Sequence, residues 1–324
     1  MAGLVTAHGL LTKKGMDGFQ ELYGYYYRKH GMDDPAAEKA FAAKLAAERL
    51  LDQSAADAVK VVGVWDTVAF HKTWVASTWI ARLLGVGKEY IEFRNAELSD
   101  RVAYGFHALA LDEHRRSFLP TLWDPPRATA ASNLKAMHQV WFSGEHSDIG
   151  GGRPDHRLSD IALGWMVSMC RTTGLLEFDD GYLLQQSQKA SSSSSSAAAA
   201  PPANWDTRLG KTRSDNGVLG DVFWTIAGRL PGGTVDRQPL QGARTNEAVH
   251  CSIADRRFGS SEGCAGAAAY PCSLLTGRRE DGGWQLRRDP SKRLMETAAD
   301  AAERSYQGRI RAAVGESIAS LGRG

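Results

Sequence analysis

No stretch of this chain approaches the roughly 20 consecutive apolar residues that a membrane-spanning helix requires. Neither sign of charge dominates. Lys and Arg number 39 against 37 Asp and Glu, a formal net charge of +2, which leaves no electrostatic footprint for nucleic acid. Cysteine is scarce. The four present (Cys170, Cys251, Cys264, Cys272) show no CxxC spacing, so they read as free thiols in a reducing compartment, with a Cys264–Cys272 pairing left open. The opening "MAGLVTAHGLLTKK" is apolar first and basic second, the reverse of a secretory leader. These absences point to a soluble, cytoplasmic protein without a transmembrane segment. No cofactor is expected, and the oligomeric state is not legible.

What is present is ordinary globular material: 43% hydrophobic and 23% charged residues in 324, enough for one large α/β domain or two smaller ones. Residues 2–11 are helix-compatible. In 16–30, Phe19, Leu22, Tyr23 and Tyr26 share one helical face. "DDPAAEKAFAAKLAAERLLDQ" predicts a helix over 34–53, with Pro35 near its first turn. "AVKVVGVWDTVAF" carries a β-branched run, Val59 to Trp65, typical of a parallel strand buried on both faces. "TWVASTWIARLLGVG" (73–87) and "RVAYGFHALALDEHRRSF" (100–116) read as helices. "MHQVWFSG" (137–144) reads as a strand, and "LSDIALGWMVSMCRTTG" (158–174) as a helix closed by Gly174.

The alternation implies a mostly parallel sheet with helices on both faces, covering residues 1–184. "QQSQKASSSSSSAAAAPPAN" (185–204) is low-complexity and has no hydrophobic face, so it reads as a disordered insert. Residues 205–324 continue the same domain, loop-rich, with a polar helix at about 292–320.

In open parallel sheets, ligands bind beyond the carboxyl ends of the strands. Two strands here end in reactive side chains: "VVGVW" in Asp66, and "QVWFSG" in Glu145 and His146. A carboxylate that orients an imidazole base is two-thirds of a nucleophilic triad. Gly150, Gly151 and Gly152 permit positive φ and close backbone approach, and their N–H groups can face an anion or orient the His loop. The plainer reading has Asp66 capping its own turn and the glycines making a tight connection.

Other groups offer weaker constellations. Asp112, in "HALALDEHRR", is a second candidate acid, or part of a salt-bridged helix end with Glu113, Arg115 and Arg116. His250 is a reserve base, or a polar residue at a helix start. Histidines 8, 30, 71, 107, 114 and 138 read as surface or packed. His146, Asp148, Asp155 and His156 lie close enough in sequence for a metal reading, but without HExxH or another regular ligand spacing. One string, "GSSEG", matches GxSxG at Ser261. It lacks the preceding strand and following helix that a nucleophile elbow needs.

The blocks "GLLTKKGMDGFQELYGYYYR", "VVGVWDTV", "EFRNAELSDRVAYGFHALALDEHRRSFLPTLW", "NLKAMHQVWFSGEHSDIGGG" and "LSDIALGWM" occur in the order found in the type VI secretion phospholipase effector-like catalytic domain family. The resemblance is close over about residues 1–175, and "TNEAVHCSIADRR" extends it towards 257. It implies an α/β-hydrolase fold, a lipase- or phospholipase-like Ser–Asp–His triad and an ester or lipid substrate. It also implies that Asp66 is the acid and His146 the base, with Asp148, Gly150 and Gly151 in a supporting shell and His250 in another family block. The family's serine lies in a GFSRGA-like elbow ahead of an "AGL…GLL" segment, which here is "MAGLVTAHGLLTKKG". The chain is accordingly expected to be a fragment or N-terminally truncated member lacking the nucleophile. Two alternatives stand beside this: a non-catalytic relative that acts as a binding protein, and a metal-dependent hydrolase. Ser143 and Glu145 depart from the family pattern, which has proline and an apolar residue there.

Overall fold

The computed structural model describes residues 2–27, 35–68, 98–115, 118–126, 132–153, 156–179, 181, 237–240, 245–253, 275–278, 283–287 and 291–297. The expected helix at 73–87, the insert at 185–204, Ser261 and the Cys264–Cys272 pair lie outside these residues.

The N-terminal part is a small helical layer. Helices α1 (Ala2–His8), α2 (Phe19–Tyr27) and α3 (Pro35–Ala47) bury Leu4, Leu22, Ala42, Leu45 and Leu51 together. A two-residue antiparallel ladder ties β1 (Leu10–Leu11) to β2 (Leu51–Asp52). Helix α3 is shorter than the predicted 34–53. It stops at Ala47, and Gln53–Asp57 turns as a 3-10 helix whose entry Asp52 caps through the Ser54 N–H.

The main sheet runs in the order β3 (Val61–Trp65), β4 (Tyr104–Ala110), β5 (Ala136–Phe142), β6 (Glu247–His250), β9 (Arg293–Thr297), β8 (Gly283–Leu286), β7 (Leu275–Arg278). The first five pair in parallel and the last two join antiparallel. The class is α/β with a mostly parallel sheet, as the alternation of elements implied.

Two predicted helices are corrected. Residues 104–110 form strand β4, not a helix over 100–116. Alanine and leucine favour helix locally, but every residue from Gly105 to Ala110 is buried, and parallel neighbours on both sides use its backbone groups. Residues 293–297 form β9 where a C-terminal helix was expected to begin. Pairing with β6 and β8 overrides the local helical composition there. Residues 298–324 are outside the described set.

The pleat of β4 sorts its side chains between two cores. Phe106, Ala108 and Ala110, with Val140 and Phe142 of β5, face helix α5 (Arg157–Thr172). That helix presents Leu158, Ile161, Ala162, Trp165, Met166 and Cys170, one stripe at helical spacing. Each large apolar side chain buried there contributes about 1.5–3 kcal/mol. Cys170 is buried in the same stripe, and burial pushes its thiol up. Across the sheet, Leu109, Leu111 and Trp141 pack with Val249, Leu275, Trp284, Leu286 and Leu294. No described helix is long and apolar enough to cross a membrane.

Candidate functional site

Strands β3, β4 and β5 are parallel, so their C-terminal ends share one rim. Asp66 follows the last residue of β3. Its backbone N–H still bonds Ala108 O at 2.7 Å, which prolongs the ladder by one residue. There the chain turns sharply, at φ 39°, a left-handed value that aspartate tolerates better than most side chains. The following N–H, of Thr67, donates to His107 Nε2 at 3.1 Å.

On the neighbouring side, β5 ends at Phe142 and the chain reverses at Gly144, φ 127°. Asp112 clamps this reversal from beyond β4. Its carboxylate accepts the Gly144 N–H at 2.6 Å, and its own N–H donates to Gly144 O at 3.0 Å. A short helix, α4 (His146–Gly150), starts at once, with Asp148 Oδ2 accepting the Glu145 N–H at 2.9 Å. His146 is therefore the first helical residue, with one carboxylate on its own N–H and another on the N–H before it. Glu113 accepts the His146 N–H at 3.3 Å, and Arg153 bridges Glu145 and Asp148.

Gly144 has no substitute. A Cβ there would sit 2.7 Å from Asp148 Cβ, at a φ that L side chains rarely adopt. Gly144→Ala is expected to destabilise the protein by about 1–3 kcal/mol and to displace His146. Urea unfolding checks the first effect, and the position of the His146 ring signals in an NMR spectrum checks the second. Gly151 and Gly152, at φ 87° and 99°, supply backbone reversal after α4. A Cβ at Gly150, Gly151 or Gly152 meets no described atom within 4 Å, so close packing is not what these glycines serve.

Across the rim the two ends meet. His146 Nδ1 lies 2.8 Å from Asp66 Oδ2. A carboxylate only accepts, so Nδ1 carries a proton, and in the neutral ring Nε2 is then the lone pair. Asp66 is fully buried and bonded on both oxygens. Oδ1 accepts the Ala110 N–H at 3.0 Å, and Oδ2 also accepts from Arg237 Nη2 at 2.8 Å. Among the described residues, none of these partners lies in Asp66's own turn. Burial pushes the Asp66 carboxyl up. The His146 hydrogen bond, the Arg237 charge and the Ala110 N–H outweigh it and hold the group below the usual carboxylate range.

His146 is 29% exposed on its side chain. Phe118 packs against its ring in a T-shaped arrangement, 4.9 Å between centroids. Arg115 covers the other part of Phe118, its guanidinium carbon 3.5 Å from the ring centroid, and forks onto Glu113 at 2.6–2.7 Å. Among the described residues, no hydroxyl hydrogen-bonds His146 Nε2.

The other candidates are placed apart from this pair. His250 closes β6, stacks on Phe142 at 4.5 Å and accepts the Ser252 N–H on Nδ1 at 3.2 Å; it is buried. His156 pairs with Asp160 at 2.6 Å in the first turn of α5. Asp148 is held by Arg153. The residues of the metal reading thus go to separate partners. Among the described residues, no group of three or more His, Cys, Asp or Glu could hold a metal ion. Asp155 lies outside them.

Two functional neighbours carry no signal in the sequence. His107, which reads there as packed or surface, is buried. It links the Thr67 N–H to Gln139 Oε1 at 3.3 Å, and burial pushes its imidazole down to about 4. Arg237 sits in a loop-rich segment, 171 residues from its partner Asp66. Its side chain is 1% exposed, and its Nε and Nη1 have no partner among the described residues. Each buried unpaired donor costs about 1–3 kcal/mol, so this ion pair is a poor device for stability alone.

No curated protein and no solved structure matches the chain. The family model described as "T6SS, Phospholipase effector Tle1-like, catalytic domain" matches residues 1–169. The match takes in β3, β4, β5 and most of α5, and with them Asp66, Asp112, His146, Asp148 and the three glycines. It covers more than half of the 324 residues, and the chain belongs to this family of type VI secretion phospholipase effector catalytic domains.

Proposed function

We propose that Asp66 and His146 are the acid and general base of a serine ester hydrolase acting on lipid esters, built on an α/β-hydrolase sheet. The 2.8 Å contact between buried Asp66 Oδ2 and His146 Nδ1 carries the reading. It sets the imidazole with Nε2 available to take a proton from a hydroxyl. In that chemistry the serine oxygen attacks the ester carbonyl and Nε2 accepts the serine proton. The protonated imidazole then gives a proton to the departing alcohol, and water repeats the sequence to release the acid. Asp66 keeps its charge throughout and offsets that of the imidazolium.

The attacking serine belongs on an elbow N-terminal to α1, as the family pattern has it. Ser261 remains the in-chain alternative. A second reading, a non-catalytic relative that binds a partner, is favoured by one observation: no described hydroxyl reaches His146 Nε2. A fluorophosphonate probe on protein isolated from its source cells separates the two. Labelling is expected on one serine, and peptide mapping should place it upstream of α1. An unlabelled yet folded protein would overturn the hydrolase in favour of the binding role.

A further inference from the structure

We propose that Arg237 is a positioning residue for the Asp66–His146 pair, its guanidinium fixing the ionised Asp66 carboxylate on His146 Nδ1. The inference rests on the reading of that pair as acid and base. It adds a third member, contributed by a distant loop outside the span matched to the family.

The geometry is specific. Two donors, His146 Nδ1 and Arg237 Nη2, converge on Asp66 Oδ2, each at 2.8 Å, and the Ala110 N–H holds Oδ1 at 3.0 Å. Three donors at fixed directions leave the carboxylate no freedom to rotate. The arrangement is also costly, because a cation is buried and two of its nitrogens are left without a described partner. A neutral donor would satisfy the same oxygen with less desolvation. What only a cation supplies is charge, at a site where burial alone drives a carboxyl to hold its proton. A proton on Asp66 Oδ2 would point an O–H where His146 and Arg237 donate, and the imidazole would lose the contact that keeps Nε2 free.

The surrounding charges agree with this role. Asp66 is faced by Arg237 from the 237–240 loop, by His146 from α4 and by His107 from β4. Glu113 and Arg115, beyond β4, act on Arg237 with opposite signs, and Glu113 holds the Arg115 fork. Asp148 and Glu145 flank His146 on its own turn and share Arg153. Among these groups only Arg237 bonds Asp66 with a permanent positive charge.

The test is a spectroscopic one that needs no turnover. A proton held between Nδ1 of a histidine and a buried carboxylate resonates far downfield of the amide region. In histidine-labelled protein, His146→Ala identifies that signal by deleting it. With Arg237→Gln, which keeps a donor but removes the charge, the signal is expected to vanish on acidification at a pH about one unit higher than in the parent. That corresponds to about a tenfold lower proton concentration. Arg237→Lys, which restores a cation, is expected to return the loss to the parent's pH. An Arg237→Gln protein whose signal keeps the parent's position and pH range would overturn the inference. Should the glutamine variant fail to fold, the lysine variant decides: a retained signal supports the role of charge, and a lost one removes it. A parent without any downfield signal assignable to His146 would instead count against the acid–base pair itself.

Discussion

His146→Ala, in protein produced in its source cells, is expected to lower kcat for a short-chain ester on the order of 10⁶-fold. KM should change little, because the ring reaches the reacting proton rather than the bulk of the substrate. The fold should survive. His146 sits at the mouth of the rim with its side chain partly exposed, and Asp66 keeps its bonds to Arg237 and Ala110 when the imidazole is gone. Asp66→Asn is a less clean experiment. It removes the charge beside a buried guanidinium, and breaking such a pair costs about 3–5 kcal/mol. Lost activity in that variant would mix chemistry with stability. His250→Ala is the informative control. Its ring is buried against Phe142, so its removal should cost on the order of 1–3 kcal/mol of stability. The rate per folded molecule should stay near the parent's. Should His250→Ala abolish turnover while His146→Ala keeps it, the base has been assigned to the wrong histidine.

The Asp66–His146 meeting was legible because it follows from strand direction. Once Val61–Trp65 and Ala136–Phe142 are parallel strands of one sheet, the residues that follow them must share a rim. Neither the alternation of elements nor the ends of those two strands needed tertiary information. Strand β4 was not legible. "YGFHALALDEHRR" is a short, nearly continuous apolar run rich in alanine and leucine, and periodicity cannot separate a strand buried on both faces from a buried helix. A hint lay in Gly105. Its close approach to Leu98, 2.6 Å from where a Cβ would stand, suits a sheet interior, but a lone glycine does not announce its neighbours. Arg237 was invisible for a different reason. A buried cation is specified by what it meets, and its partner lies 171 residues away. A single arginine in a loop-rich stretch reads as solvent-exposed on composition. Glu113 lay between these cases. Its pairing with Arg115 was open to a local reading, whereas its bond to the His146 N–H depends on the crossing from β4 to β5.

His107 gives the second large effect, on stability. Its imidazole is wholly buried, accepts from the Thr67 N–H and faces Gln139, whose amide in turn bonds the Trp123 and Thr245 carbonyls. That network requires a neutral ring with a lone pair on Nε2. The folded protein binds the His107 proton only near pH 4, whereas an unfolded chain binds it near 6.5. The unfolded state therefore carries the extra proton between those two values. Stability is fully present above about 6.5 and falls as the pH drops towards 4. At about 1.4 kcal/mol for each pH unit, the loss is about 3 kcal/mol. His138, pushed down by burial, adds in the same direction. Glu145, pushed up by burial, opposes it, since its proton is bound more tightly in the folded state. Urea midpoints at pH 7 and pH 4.5 measure the sum, and His107→Gln isolates the largest part. The variant should lose most of the pH slope across this window, keeping the remainder due to His138 and Glu145. An unchanged slope would mean that His107 is free to take its proton in the folded protein. The turn that aims Asp66 at His146 would then be held by something other than the Thr67 N–H on a neutral imidazole.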